Sequence, residues 1–221
     1  MEKQQITNDA KRRCYQCFAE IEPARMRNHV GEHTLKAMCG VPETLQGQHI
    51  ALFEFPCGFC GRPERLCAAS TLTKGINGST PQARSECPYY RLFFYQPSLK
   101  SSAATPSTNV PVICKIPECK AEKGGNWSAV WKYNLREHIL RFHPTYSLET
   151  AGSDGLIPLP PAMLHDMHIS DEEEHGLKIL KDCIPYKSPL PTLEPEASTS
   201  TSTSARTGAH RAKRRRTQKG G

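Results

Sequence analysis

Cysteine and histidine are the residues of this chain whose types and spacing could do chemistry. The 221 residues include ten cysteines and nine histidines. Twelve of them fall into three sets of four: Cys14, Cys17, His29 and His33; Cys57, Cys60, Cys67 and Cys87; Cys114, Cys119, His138 and His143. Thiolate sulfur and imidazole nitrogen are soft enough to share a d10 cation, and four of them at the corners of a tetrahedron form the usual protein cage for zinc. Each set therefore predicts one metal site, about three zinc ions in all. Cys39 and Cys183 stand apart.

The first set, Cys14-x2-Cys17-x11-His29-x3-His33, places two thiolates on one tight turn and two imidazoles at i and i+4, on one face of a helix. Ile21 and Met26 are the expected core side chains, and Pro23 suits the first helical turn, where its missing N–H costs nothing. In the second set, Pro56-Cys57-Gly58-Phe59-Cys60-Gly61 reads as a knuckle whose glycines let the backbone turn tightly. A knuckle supplies two ligands. Cys67 and Cys87 are the nearest candidates for the others, with His49 or Cys39 as substitutes. The third set, Cys114-x4-Cys119-x18-His138-x4-His143, is wider, with 123–126 as an inserted loop. A helix from the N-cap Ser128 would carry Trp131, Leu135, His138, Ile139 and Phe142 on one side. The aromatic run Tyr89, Tyr90, Phe93, Phe94, Tyr95 reads as a strand packed over a metal core.

The first and third sets resemble the C2H2 zinc-finger family, with eleven rather than twelve residues before His29 and a six-residue excess before His138. The resemblance implies ββα folding. Counting back from His29, the family's base-reading positions fall on Glu22, Arg25 and Asn28. Those types can accept from cytosine, grip guanine and pair with adenine. Lys11, Arg12 and Arg13 could add phosphate contacts. Counting back from His138 gives Trp131, Asn134 and Glu137, a poor set for reading bases. At longer range, CGFCGR (57–62), SECPYY (85–90), STNVPVIC (107–114) and VWKYNLREHILRFHP (130–144) resemble a family of uncharacterised fungal Cys/His-rich zinc-finger proteins, which implies zinc sites in this order.

Catalytic patterns are missing from the sequence. Pro-Cys-x-x-Cys is half of the zinc nucleobase-deaminase signature, yet no upstream His or Cys has Glu two places on. HExxH is absent. The longer interleaved Cys/His series of a RING ubiquitin ligase is absent too. The sequence thus argues for a non-enzyme without a small-molecule substrate.

The elements that must position these residues are small. Only 37% of residues are apolar, and 18 prolines and 15 glycines punctuate the chain, so small α+β zinc-stabilised modules are expected rather than one broad core. The predicted organisation is a basic arm (1–13), a C2H2-like finger (14–36), a four-cysteine zinc-knuckle module (50–97), a linker (98–110), a long C2H2-like finger (111–145), a loosely ordered acidic helical segment (146–190) and a disordered tail (191–221). Within the acidic segment, Ser170 and Glu173 form a capping box for a helix over 171–182. No apolar run is long enough to span a membrane, and the amino terminus lacks a secretory apolar stretch. Thiols in a reducing compartment suit metal ligation. The net charge of +7 is uneven. Residues 151–205 carry nine acidic and three basic side chains, whereas 206–221 carry seven basic and no acidic ones. Lys213, Arg214, Arg215 and Arg216 fit a nuclear-import signal, which implies an import receptor and a nuclear location. The expected function is a zinc-binding nuclear protein that contacts nucleic acid or serves transcription; the alternative is a zinc-stabilised adaptor for protein partners.

Overall fold

The computed structural model describes residues 10–45, 47, 50–73, 80–119, 122–123, 126–148 and 155–179. The predicted tail at 191–221, with Lys213 to Arg216, lies outside them, as do His49 and Cys183. A hairpin of β1 (Arg12–Arg13) and β2 (Glu20–Ile21), with Arg12 opposite Ile21, leads into helix α1 (Met26–Met38). Strands β3 (Ser70–Thr73) and β4 (Gln82–Ser85) follow, then the short helix α2 (Tyr95–Ser98). Next come β5 (Pro111–Val112), β6 (Glu122–Lys123), β7 (Asn126–Trp131) and helix α3 (Leu135–Phe142). The last described elements are β8 (Tyr146–Ser147), β9 (Ile157–Pro158), α4 (Pro161–Met167) and α5 (Asp171–Leu177).

Strand β7 ties this mixed α+β architecture together. It pairs antiparallel with β3, β5 and β6, and β3 pairs on its other edge with β4. Segments 50–97 and 111–145 therefore contribute strands to one sheet. The expected N-cap Ser128 lies inside β7, and the α-helix begins only at Leu135, after a 3-10 turn at Lys132–Asn134. The cause is visible in Asn126–Trp131: its aromatic and β-branched side chains favour a pleated, half-buried surface. The aromatic run forms no strand. Tyr90 and Phe93 instead pack edge-on against Phe59, at ring separations of 5.2 and 6.2 Å.

The apolar core follows the metal-ligand sets. Val110, Val112, Ile116, Leu135 and Ile139 surround Cys114 and meet Leu159, Met163 and Met167 from the α4 region. Leu35 and Cys39 meet Tyr133, Ile169 and Leu177. Burying each Leu, Ile or Met contributes roughly 1.5–3 kcal/mol. Residues 159–179 accordingly pack on these clusters through Leu159, Met163, Met167, Ile169, Leu177 and Ile179. The expected linker also changes character at its end, where Ser107, Thr108, Asn109 and Val110 are all buried. The Ser107 N–H donates to Asn28 Oδ1 (3.1 Å), the Tyr133 N–H to Asn109 Oδ1 (3.3 Å) and the Arg27 guanidinium to the Asn109 carbonyl (2.9 Å). Ser107, Thr108 and Asn109, which read as a linker, are buried here with hydrogen bonds to Asn28, Glu173 and Tyr133, while Asn109 Nδ2 is left without one.

Candidate metal centres

In the first centre, the β1–β2 turn presents Cys14 and Cys17, closed by the Cys14 N–H to Ala19 (2.9 Å) and the Phe18 N–H to Cys14 (3.0 Å). Helix α1 presents His29 and His33 one turn apart. Cys17 Sγ lies 3.2 Å from His29 Nε2, which lies 3.2 Å from His33 Nε2. Metal–nitrogen bonds of about 2.0–2.1 Å and metal–sulfur bonds of about 2.3 Å put tetrahedral corners about 3.3–3.8 Å apart. The observed separations are close to that. Burial pushes the Cys14 thiol up to about 11 and pulls His29 below the ordinary imidazole value. The far nitrogen of His33 meets Glu43 Oε2 at 2.9 Å. With Nε2 turned to the ligand set, Nδ1 carries the proton and donates it to this carboxylate, which fixes the tautomer. Lys36 in turn holds Glu43 (3.1 Å) and Glu32 (2.7 Å).

The second centre gathers the four sulfurs of Cys57, Cys60, Cys67 and Cys87. Its knuckle is shaped by the Gly61 N–H donating to Cys57 (2.7 Å) and the Cys57 N–H to Arg62 (2.8 Å). Gly61 adopts φ +72°, a left-handed conformation that favours glycine. Cys67 ends a 3-10 turn at Glu64–Leu66, and Cys87 follows β4. Cys60 and Cys67 sulfurs are 3.6 Å apart. Hydrogen bonds from Cys57 and Cys60 hold the Cys87 thiol low, while those with Cys60, Cys67 and Cys87 push Cys57 up.

The third centre draws Cys114 from beyond β5, Cys119 from the 3-10 turn Pro117–Cys119, His138 from α3 and His143 from just past its end. Cys114 Sγ is 3.7 Å from His143 Nε2, and Cys119 Sγ is 3.3 Å from His138 Nε2. The wider histidine spacing works because His143 leaves the helix at φ −135° while its N–H still donates to Ile139 (2.8 Å). Burial pushes Cys114 up to about 12 and, with help from His143, pulls His138 down to about 4.

In each set all the ligand atoms lie within 4.8 Å of one another, so each group could hold one metal ion. The donor chemistry fits such an ion: two thiols with two imidazoles, four thiols, and again two with two. The ligands named from spacing are brought together in all three places. Cys39 joins none of these sets and packs in the apolar cluster with Leu35 and Tyr133.

Side chains that spacing could not reveal fasten the centres to one another. The buried Gln16 donates to the Gly61 carbonyl (2.6 Å), joining the first turn to the second knuckle. Asn134 donates to the Pro56 carbonyl (2.9 Å), and a Cβ at Gly58 would come within 2.2 Å of the Trp131 ring. The residues expected to read nucleic acid have mixed placements. Lys11, Glu22 and Arg25 are exposed and border a shallow depression with Glu20, Asn28 and Glu32. Asn28 accepts the Ser107 N–H, Arg12 donates to the Pro88 carbonyl, and Arg13 lies 4.5 Å over the Phe18 ring.

Comparison of the chain with protein-family models, curated proteins and solved structures finds no match. Among the described residues, no helix is long and apolar enough to cross a membrane.

Proposed function

We propose that this is a non-catalytic, zinc-stabilised nuclear protein whose two C2H2-like centres and one four-cysteine centre build a platform for binding macromolecules. The observation that carries the reading is the closure of the centres. Each set supplies four protein ligands, which leaves a tetrahedral ion no position for water or substrate, the arrangement of structural rather than catalytic zinc. Zinc then supplies folding free energy that so small a core lacks.

For the partner, the surface around α1 favours protein over nucleic acid. The carboxylates of Glu20, Glu22 and Glu32 share the depression that holds Lys11 and Arg25, and electrostatic affinity for phosphate needs cations acting together. A transcription-associated role as an adaptor fits this balance. Contact with nucleic acid, the second reading, is supported by exposed Arg25 and Lys11 and by the basic run Lys213 to Arg216, which also suits an import receptor. Duplex binding measured between about 50 and 200 mM salt separates the two. An affinity that falls steeply with salt and is lost with Arg25→Ala or without 206–221 establishes the second reading. Salt-insensitive capture of a protein partner by fully zinc-loaded chain, without such duplex binding, supports the first.

A further inference from the structure

Arg62 leaves the second knuckle and lies against two tyrosines, its guanidinium 5.9 Å from the Tyr15 ring centre and 5.6 Å from that of Tyr89. Arg12, on β1, lies 5.2 Å from the same Tyr89 ring and donates to the Pro88 carbonyl. The Tyr89 hydroxyl donates to the Arg13 carbonyl (3.1 Å). Tyr15 adjoins Cys14, Arg62 follows Cys60 by two residues and Tyr89 follows Cys87 by two. The seam between the first and second centres thus carries two guanidiniums and two phenol rings.

The charge of Arg62 is not met within the fold. The side chain is half-buried, and among the described residues its guanidinium makes no hydrogen bond or ion pair. Arg27, equally half-buried, gives its N–H groups to Asn109 and Ser98, and Arg136 pairs with Glu137. A guanidinium carries five N–H donors in a planar fork, and aromatic rings offer no lone pair to that fork. The rings also hold the side chain in place beforehand, so an anion that binds it incurs less of the ordering cost of a free arginine.

We propose that Arg62 and Arg12 form a site for a phosphoserine or phosphothreonine of a partner protein, the phosphoryl oxygens accepting from both guanidiniums. Both lie close to one ring, so a swing of either side chain brings the pair onto a single phosphoryl group, whose dianion offers three acceptor oxygens to the two forks. A carboxylate, with one charge and two oxygens, satisfies a single fork. The surroundings favour one compact dianion over a nucleic-acid strand. A strand presents a row of singly charged phosphates and needs a matching row of cations, whereas carboxylates flank this seam. On one side β1 pairs with β2, which carries Glu20 and leads into Glu22. On the other, Glu54, tied to Arg65 at 3.1 Å, borders the same depression as Tyr15. The site deepens the protein-contact reading and rests on it.

The test uses full-length, zinc-loaded, nitrogen-15-labelled chain titrated with the peptide acetyl-Ala-Gly-phosphoserine-Gly-Ala-amide. Parallel arms carry serine or glutamate in place of the phosphoserine, and a further arm uses a short oligothymidylate. Expected are shifts of the Arg12 and Arg62 side-chain N–H signals and of the backbone amides of Tyr15, Arg62 and Tyr89. Phosphoserine should bind about tenfold or more tighter than serine, for the charge-assisted hydrogen bonds gained, and tighter than glutamate. Arg62→Gln should lower the phosphopeptide affinity about tenfold or more, and Arg62→Lys, which keeps the charge without the planar fork, should fall between it and the parent chain. Lys100→Gln removes an exposed cation elsewhere and should leave the affinity unchanged. If Arg62→Gln does not fold, the peptide arms on the wild-type chain decide alone. Serine or glutamate binding as tightly as phosphoserine, shifts elsewhere, no shifts at all, or full affinity in folded Arg62→Gln overturns the site. Tighter binding of the oligonucleotide through the same arginines overturns the protein partner. A salt-dependent duplex affinity that shifts other residues while phosphoserine selectivity holds would overturn the protein-only reading and leave the site standing.

Discussion

Replacing Glu173 by alanine should destabilise the protein as much as truncating a large side chain of the apolar core does. The side chain is fully buried on α5. Oε1 accepts the Thr108 N–H (2.9 Å), the Thr108 hydroxyl (2.7 Å) and the Tyr133 hydroxyl, and Oε2 faces Lys132 Nζ at 3.3 Å. Lys132 is itself only 9% exposed. Glu173→Ala therefore leaves an ammonium buried without its counter-charge, for which about 3–5 kcal/mol is the usual cost. That is a large part of the roughly 5–15 kcal/mol that holds a domain together. Glu173→Gln keeps an acceptor for Thr108 and should cost less, about 1.5–3 kcal/mol. Replacing both charges, as Lys132→Met with Glu173→Leu, should recover part of the loss, because a buried ion pair is often no better than apolar side chains of similar volume, while the buried Thr108 hydroxyl, which loses both Glu173 and Lys132 as partners, keeps its desolvation cost. The assay is urea unfolding followed by circular dichroism at fixed free zinc, so that metal binding contributes equally to each variant. A cost below about 1 kcal/mol for Glu173→Ala would refute the argument that this ion pair docks α5, since an exposed pair contributes no more than that.

Three further outcomes follow from the centres. Glu43→Gln should weaken metal binding at the first centre by about 10- to 100-fold, as loss of the carboxylate behind a ligating histidine does elsewhere; competition with a chromophoric chelator measures it, and an unchanged affinity contradicts the role given to Glu43. Gly58→Ala should lower the melting temperature, since its Cβ would sit 2.2 Å from the Trp131 ring in a face that cannot retreat, whereas Gly40→Ala, with open space around it but φ +66°, should show only the cost of the left-handed backbone. Burial lowers His138 from 6.5 to about 4, so the neutral imidazole is favoured in the folded chain. Protonation of that imidazole competes with the ion, so the stability that the loaded third centre contributes is present near neutral pH and is lost in acid, and His138→Asn should remove that step from an acid titration of the zinc-loaded chain followed by circular dichroism.

The metal ligands were legible because a tetrahedral site imposes local spacing: two residues between cysteines on a turn, and histidines one helical turn apart. Met26 and Leu135, each three residues before a ligating histidine, were legible for the same reason, and both are buried. The Ser170 cap was legible as well, since its side chain accepts the Glu173 N–H. The capping box, however, does not close as expected, because the Glu173 carboxylate turns inward to Thr108 and Lys132. Non-local pairings were not legible. Ser70–Thr73 is only four residues long and carries no sign that its two edges will meet β4 and β7. The Ser, Thr and Asn of 107–109 look like a linker by composition and become buried through partners as distant in sequence as Asn28 and Glu173. Gln16 and Glu43 are single polar residues whose roles depend on where Gly61 and His33 end up in space.

Zinc stoichiometry measured on native full-length chain, by elemental mass spectrometry with thiol titration before and after chelation, tests the central claim most directly. Eight of the ten cysteines belong to the three ligand sets. About three zinc ions per chain, with chelation releasing eight thiols to the reagent, is the result expected. Two ions would remove one of the three centres, and none would contradict the account of the fold as zinc-stabilised.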